Sequence, residues 1–251
     1  MGTTSPLPSI PQKMTPSDKG KLYLIPSPLG ENDPAEVIPA PVLARLQQIR
    51  IYVAEEVRTV RRYLSRAGLK GHIEELQFHT LNEHTTPQEV ESYLHLFDNG
   101  QDVGLISEAG LPAVADPGAA LVALCQRHGI EVVPFVGPSS LMLALMASGL
   151  NGQCFAFRGY LPAKTEERRS ALRSLEKRSA AERETEIFIE TPYRNDAMLA
   201  DLLSTLREST RLTLAADITL PTEWIRTHTV REWKALKPAV GKRPCVFLIL
   251  A

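Results

Sequence analysis

Turns rich in glycine and proline that also carry polar side chains recur along the chain, mostly directly after short apolar runs. They are Ser27–Gly30, Ser107–Gly110, Asp116–Gly118 and Gly137–Ser140. Ligands of open α/β sheets bind at the carboxyl ends of the strands. The set therefore favours one shared ligand pocket, although each turn alone is also typical of an ordinary connection between a strand and a helix.

The turn Gly137-Pro138-Ser139-Ser140 offers the most specific anchor point, because it stands before the apolar run LMLALMASGL. A serine at the start of a helix caps it and leaves free N–H groups at the positive end of the helix dipole. Such an end binds a carboxylate or another polar group of a ligand. An ordinary helix cap is the alternative interpretation.

Several well-known ligand and catalytic motifs are missing from the sequence. It contains no GxGxxG, GxxxxGK[ST], HExxH or GxSxG pattern. These patterns mark dinucleotide cradles, phosphate loops, zinc proteases and serine hydrolases. Their absence argues for a ligand without a pyrophosphate.

Charged residues cluster in two segments that are predicted to be helical. Glu55 and Glu56 precede the arginine-rich segment 58–66, and six Lys or Arg stand against three Glu over residues 164–178. Either segment could contact phosphates, and a solvated surface is the alternative. His79 and His84 lack helical spacing and a third nearby ligand. No metal site is therefore expected.

Composition bounds the function further. The 251 residues carry a formal net charge of -1, which excludes a strongly basic nucleic-acid footprint over the whole chain. Three widely spaced cysteines without a CxxC pair are typical of a reduced, cytoplasmic protein. No apolar run is long enough for a membrane span. Residues 1–20 contain four prolines and are expected to form a flexible tail.

The elements that must position these residues alternate in the first half and change character in the second. Apolar runs at 22–26, 51–55, 103–107 and 131–135 predict strands, with helical patterns between them, which indicates a mostly parallel α/β sheet. After residue 137, strands and helices follow in a more antiparallel arrangement. We therefore predict a first α/β domain over 21–137 and a second α/β domain with a mixed sheet over 138–251.

The motifs, taken together and in order, resemble the tetrapyrrole methylase superfamily of S-adenosylmethionine-dependent enzymes. The resemblance is strongest to its ribosomal branch, the 16S rRNA (cytidine-2′-O)-methyltransferases. The matching segments, which span residues 22 to about 220, are LYLIPSPLGEN, AEEVRTVRRYL, LISEAGLPAVADPG, VPFVGPSSLMLALMASGL, FAFRGYLPAK and ETPYRN.

The resemblance implies two α/β domains with S-adenosylmethionine bound in the cleft between them, usually in a homodimer, and a 16S rRNA or 30S-subunit substrate. It implies that Glu190 and Ala215 close the cofactor pocket from the second domain. The residues that would line the pocket from the other side are Pro28, Leu29, Glu108, Leu111, Ser139 and Ser140. Glu55, Glu56 and Arg58 are the candidate catalytic residues, and Gly159–Pro162 would shape the floor of the site.

The sequence departs from the ribosomal pattern at several of these positions. Glu108 stands where the branch typically has Asp, and Leu111 and Val57 stand where it has Thr. Val136 replaces a proline before the Gly-Pro-Ser turn. Two alternatives to an rRNA methyltransferase follow from the sequence. One is a methylase of a small tetrapyrrole, which the near-neutral charge favours, and the other is a binding module without activity.

Overall fold

The computed structural model describes residues 19–251. The predicted flexible tail over 1–20 lies, except for its last two residues, outside this range. Two five-stranded sheets follow each other along the chain. Helices connect the strands of each sheet, so the chain consists of two successive α/β units.

The first sheet is parallel throughout and has the strand order β3-β2-β4-β1-β5. Its strands are β1 (Leu22–Ile25), β2 (Ile51–Ala54), β3 (Gln77–Thr80), β4 (Val103–Ile106) and β5 (Val132–Pro134). The helices of this half are α1 (Pro34–Val37), α2 (Ala40–Leu46), α3 (Val57–Leu64), α4 (Pro87–Ser92) and α5 (Ala119–Arg127). One turn of π-helix covers Ser65–Leu69, and 3-10 turns cover Ile73–Glu75 and Tyr93–Gly100.

The second sheet is mixed and has the order β6-β7-β10-β8-β9, with only β6 and β7 parallel. Its strands are β6 (Phe155–Tyr160), β7 (Thr185–Ile189), β8 (Arg211–Ala216), β9 (Trp224–Thr229) and β10 (Cys245–Leu250). The helices are α6 (Ser140–Ser148), α7 (Thr165–Glu182), α8 (Asn195–Thr205) and α9 (Val230–Leu236), with a 3-10 turn at Pro192–Arg194. The predicted change to a more antiparallel second half is confirmed.

The central strand of the first sheet is buried on both faces, which is why it is an uninterrupted apolar run. All four residues of β4 are buried. Gly104 suits this crowded position, because a Cβ there would lie 2.6 Å from Cδ1 of Ile25 and 3.0 Å from the ring of Tyr52, and Ile25 would have to shift. Helix α6 packs with Leu141 and Leu145 in the core of the second sheet. It therefore follows the first sheet in sequence but belongs to the second in packing.

Several predicted element boundaries were wrong. The pattern over 86–100 predicts one helix, but α4 ends at Ser92 and a 3-10 turn follows it. The extended Asp98 and Asn99, with φ 57°, then break the helical backbone before residue 100. The short polar strand β3 and strand β9 were not predicted as strands. Both are sheet edges with few buried side chains, so they lack the apolar pattern that marks a central strand. Over residues 19–251, none of the helices combines the length and the apolar character that crossing a bilayer requires.

Candidate functional site

A cavity of about 320 Å³ lies where loops of the first sheet meet the second sheet and helix α6. From the first half it is lined by Leu29 and by five residues between Ala109 and Ala115, and the start of α6 adds Ser139, Ser140 and Leu141. The second half contributes Phe157, Tyr160, Ile189, Glu190, Pro192, Ala215, Asp217, Ile218, Leu220, Pro244, Cys245 and Val246. Its volume and largely apolar wall with a few polar groups are typical of a small-molecule site.

The structure brings most of the sequence-predicted cofactor residues to this cavity. The ones that line it are Leu29, Leu111, Ser139, Ser140, Glu190 and Ala215. Pro28 and Glu108 instead line a smaller neighbouring groove. Tyr160 of the predicted Gly159–Pro162 segment also lines the cavity, at the end of a strand whose register shifts there. Three of the four predicted turns therefore converge with strand ends of the second half, whereas no residue of Asp116–Gly118 lines either cavity.

The start of α6 has the geometry that its sequence predicts. Ser139 is the N-cap, and its Oγ accepts a hydrogen bond from the backbone N–H of Met142 at 3.4 Å. Gly137 lets the turn before α6 pack closely against Pro26, which directly follows β1. A Cβ at position 137 would lie 2.1 Å from Cβ of Pro26. The other N–H groups of the first helical turn have no partner within the helix. They lie at the cavity wall, where they can bind a polar ligand group.

The loop between β4 and α5 is held in place by hydrogen bonds at its two turns, Ser107–Gly110 and Asp116–Gly118. Ser27 and Gly110 exchange two backbone hydrogen bonds, of 2.9 and 3.1 Å, so the turns after β1 and β4 are joined. The Asp116 carboxylate accepts a bond from the Gly118 N–H at 2.8 Å. Between these anchors, Ala113 and Ala115 have φ of 64° and 55°. Such strained alanines cost about 1–3 kcal/mol each and cluster at functional sites.

A second strained segment faces this loop from the other half of the chain and was missed from the sequence. Asp217 and Thr219 have φ of 53° and 73°. Thr219 is held by Asn32 of the first half, which donates to the Thr219 carbonyl at 2.6 Å and accepts from its hydroxyl at 3.1 Å. The available signal was the pair of polar residues Asp217 and Thr219 directly after the strand that ends at Ala216. These bonds join the two halves beside the cavity.

Glu190 presents an unpartnered oxygen in the cavity wall. Its side chain is fully buried. Oε1 accepts hydrogen bonds from the Thr191 N–H at 2.6 Å and from Nε and Nη2 of Arg194 at 2.9 and 2.6 Å. Oε2 is buried and has no hydrogen-bond partner. A buried carboxylate oxygen without a donor is costly, so this atom fits a ligand that brings an N–H or O–H group.

The smaller groove, of about 120 Å³, lies beside the cavity and shares Leu29 and Ala109 with it. Its other lining residues are Ser27, Pro28, Gly30, Glu31, Pro34, Thr59, Arg62, Tyr63, Arg66 and Glu108. Helix α3 forms one wall, and the turn after β1 separates the groove from the cavity. The two sites are therefore neighbours on the same carboxyl edge of the first sheet.

The predicted catalytic residues stand at the same edge but line neither cavity. Glu55 follows β2, and burial raises the pKa of its carboxyl, with the charges of Asp116, Glu108 and Glu83 adding to the effect. Glu56 is the N-cap of α3 and accepts a hydrogen bond from the Arg58 N–H at 2.9 Å. The side chain of Arg58 is exposed. Glu55 is thus the carboxyl whose environment favours proton uptake.

Acidic partners neutralise part of the charge in both basic segments. On α7, Arg168 and Arg169 bind the buried carboxylate of Asp201, and Arg178 binds Glu184. On α3 and the following turn, the paired arginines are Arg61, which binds Glu74, and Arg66, which binds Glu31. In the described chain, Arg58 and Arg62 have no such acidic partner. Within residues 19–251, no three His, Cys, Asp or Glu side chains are grouped so as to hold a metal ion.

The chain matches the family model of Tetrapyrrole (Corrin/Porphyrin) Methylases over residues 21–234. It is 35% identical to Ribosomal RNA small subunit methyltransferase I of Escherichia coli O157:H7 over 86% of this chain and 71% of the relative. It is 34% identical to the protein of the same name from Pasteurella multocida, over 92% and 79%. Both likenesses extend over most of the two sequences.

Solved structures share the fold at low sequence identity. The methyltransferase CobJ has a TM-score of 0.60 at 18% identity and covers 92% of this chain and 94% of its own. The uroporphyrin-III C-methyl transferase of Thermus thermophilus complexed with S-adenyl homocysteine has a TM-score of 0.55 at 19% identity, over 92% and 97%. At these sequence identities the likeness shows a shared fold of two successive α/β units and nothing beyond it.

Proposed function

Because the chain belongs to the tetrapyrrole methylase family and is an S-adenosylmethionine-dependent methyltransferase of its ribosomal branch, we propose that it methylates the ribose 2′-oxygen of a cytidine in 16S rRNA. The observation that carries the proposal is the cavity between the two sheets, which six of the eight residues expected to hold the cofactor line, with a smaller groove beside it. RNA that is single-stranded and splayed out suits such a cleft.

The cavity holds the cofactor in this proposal. Leu29, Leu111 and Ala215 supply apolar contacts, and the first turn of α6 supplies N–H groups for a polar end. Glu190 supplies a hydrogen-bond acceptor through Oε2, the atom that otherwise has no partner. When bound, S-adenosylmethionine supplies a methyl group activated by its sulfonium. The strained loops at 113–115 and 217–219 shape the walls and exclude water from the reacting atoms.

The remaining task of the protein is to receive a proton. A ribose 2′-hydroxyl is a poor nucleophile at neutral pH and must lose its proton as its oxygen bonds to the methyl carbon and the C–S bond breaks. We assign the proton to Glu55, which lines neither cavity but lies near enough to Glu108 of the groove wall for the Glu108 charge to help raise its pKa. A raised pKa suits the Glu55 carboxylate to act as a base. Arg58 is exposed on α3 and supplies a positive charge to the RNA strand. Glu56 positions the start of α3 through its cap hydrogen bond.

Replacing Glu190 by alanine is expected to weaken binding of the cofactor product, S-adenosylhomocysteine, by roughly 10- to 100-fold, the loss expected for a hydrogen bond to a charged group. Titration calorimetry measures the dissociation constant, and thermal melting shows whether the variant is folded. Glu182→Ala is the matched control, because Glu182 is exposed at the end of α7 and lines neither cavity. If folded Glu190→Ala bound S-adenosylhomocysteine as tightly as the control, Glu190 would not contact the cofactor.

Methyl transfer from radiolabelled S-adenosylmethionine to 30S subunits tests the activity. The subunits come from a strain in which the gene has been deleted, so that the acceptor is unmodified. We expect label in the 16S RNA, located to a ribose 2′-oxygen. Absence of RNA label, together with transfer to a uroporphyrinogen or precorrin in a parallel panel, would replace the ribosomal substrate with a tetrapyrrole.

We also propose that the protein is a homodimer, joined through the outer face of α6 and the turn before it. Met146 and Val136 are 78% and 75% exposed, and Met142, on the same helix face as Met146, is also exposed. Met146→Asp is expected to shift the sedimentation coefficient from dimer to monomer. The control Leu236→Asp changes an exposed apolar residue of α9. A monomeric wild-type protein would contradict the proposal.

A cytoplasmic location accompanies this function, because that is where ribosomal subunits are modified in a bacterium. Cys125, Cys154 and Cys245 are all free thiols. Free cysteines are typical of a reducing compartment.

A further inference from the structure

Two arginines on one face of α3 lack acidic partners within residues 19–251. Arg58 and Arg62 are four residues apart, so their side chains lie one above the other on the helix. Their neighbours Arg61 and Arg66 are held by Glu74 and Glu31. An exposed pair of cations that the protein leaves unneutralised is suited to an external anion.

The groove beside Arg62 has a fixed floor. The Tyr63 hydroxyl donates a hydrogen bond to the Pro26 carbonyl at 2.9 Å, and Tyr63 is buried. Arg66 donates to the Glu31 carbonyl at 3.1 Å and also to the Asn32 carbonyl. These bonds attach the turn after β1 to helix α3. The groove is therefore preformed.

The groove shares a wall with the cofactor cavity and is small. Leu29 and Ala109 belong to the walls of both. A volume of about 120 Å³ encloses one sugar or one base, whereas a tetrapyrrole macrocycle would project out of it. Glu108, exposed at the groove, adds a carboxylate that can accept a hydrogen bond from a sugar hydroxyl. The Arg62 guanidinium matches the phosphate of a ribonucleotide, and the Glu108 carboxylate matches a hydroxyl of its sugar.

We propose, resting on the RNA methyltransferase function above, that this groove is the acceptor subsite. It takes the sugar of one unpaired ribonucleotide of a single-stranded RNA, next to the methyl donor. Arg62 binds a phosphate of that nucleotide, and Arg58 binds the adjoining phosphate of the same strand. Arginine is well suited to this contact because its planar guanidinium donates two parallel hydrogen bonds to a phosphate.

The test compares Arg62→Ala with Arg62→Lys and with Arg173→Ala. Arg173 is exposed on α7, far along the chain from the groove, and no acidic partner holds it in the described chain. Arg62→Ala is expected to raise the KM for 30S subunits by roughly tenfold, as for one lost charge-assisted hydrogen bond, with kcat within twofold. The slope of log KM against log salt should fall by about 0.7. Arg62→Lys should retain the salt slope.

A binding measurement separates failure of the subsite from failure of the proposed function. The probe is a fluorescently labelled single-stranded RNA with the sequence around the modified cytidine, followed by anisotropy. Weaker RNA binding by Arg62→Ala than by Arg173→Ala supports the subsite, even if the wild-type protein transfers no methyl group and the proposed activity fails. An active wild-type protein with equal KM and equal RNA affinity in the two alanine variants overturns the subsite alone. Unchanged calorimetric binding of S-adenosylhomocysteine confirms that Arg62→Ala keeps its cofactor cavity.

Discussion

Replacing Glu55 by glutamine is expected to lower kcat for methyl transfer to 30S subunits by about 10²–10⁴-fold, the usual contribution of a positioned general base. Glutamine keeps the size of the side chain and cannot accept the proton of the ribose hydroxyl. Calorimetric binding of S-adenosylhomocysteine should stay as in the wild type, because Glu55 does not line the cofactor cavity. Glu36→Gln, at an exposed site on α1, is the matched control.

The pH profile supplies an independent readout of Glu55. A base acts in its deprotonated form, so activity is lost as pH falls through its pKa. Burial, and then the charges of Asp116, Glu108 and Glu83, raise that pKa above the ordinary carboxyl value of 4.5. The acid limb of kcat/KM should therefore lie above pH 4.5 in the wild type and disappear from the residual activity of Glu55→Gln. A variant that keeps both the rate and the limb would place the base elsewhere.

Replacing Asp201 by alanine is expected to lower the free energy of unfolding by about 3–5 kcal/mol, the cost of leaving a buried charge without its partner. The Asp201 carboxylate accepts hydrogen bonds from Nε of Arg168 at 2.8 Å and from Nε of Arg169 at 2.7 Å. The side chains of Asp201 and Arg168 are each 4% exposed. Removing Asp201 leaves a buried guanidinium between α7 and α8. Equilibrium urea unfolding measures the change.

The control for Asp201 is Glu166→Ala, which removes an exposed ion pair with Arg169 on the same helix. Exposed pairs contribute about 0–1 kcal/mol, so this variant should unfold close to the wild type. A loss below 1 kcal/mol in Asp201→Ala would mean that Arg168 finds water or another acceptor, and that the buried pair does not stabilise the contact of α7 with α8.

The parts of the site that are encoded locally could be predicted from the sequence. Ser139 and Gly149 mark the two ends of α6, because a cap and a left-handed stop are decided by neighbouring residues. The turns after β1 and β4 were recognisable from their glycines and prolines. The order of the motifs along the chain identified the family, which supplied the cofactor.

What the sequence could not supply depends on contacts between distant residues. The unpartnered oxygen of Glu190 exists only because Thr191 and Arg194 occupy its other oxygen. Arg61 and Arg62 are equivalent in sequence, and only the position of Glu74 neutralises the first. The bond between Asn32 and Thr219 joins residues that are 187 positions apart. Polar contacts of this kind leave no periodic pattern in the sequence from which they could be predicted.

Nucleoside mass spectrometry of 16S rRNA tests the central claim most directly. RNA is compared from the wild-type strain, the deletion strain, and deletion strains complemented with the wild-type gene or with Glu55→Gln. We predict that one 2′-O-methylcytidine is lost in the deletion strain, returns with the wild-type gene and stays absent with the variant. Equal 2′-O-methylcytidine content in all four RNAs would contradict the assignment of this protein to 16S rRNA ribose methylation.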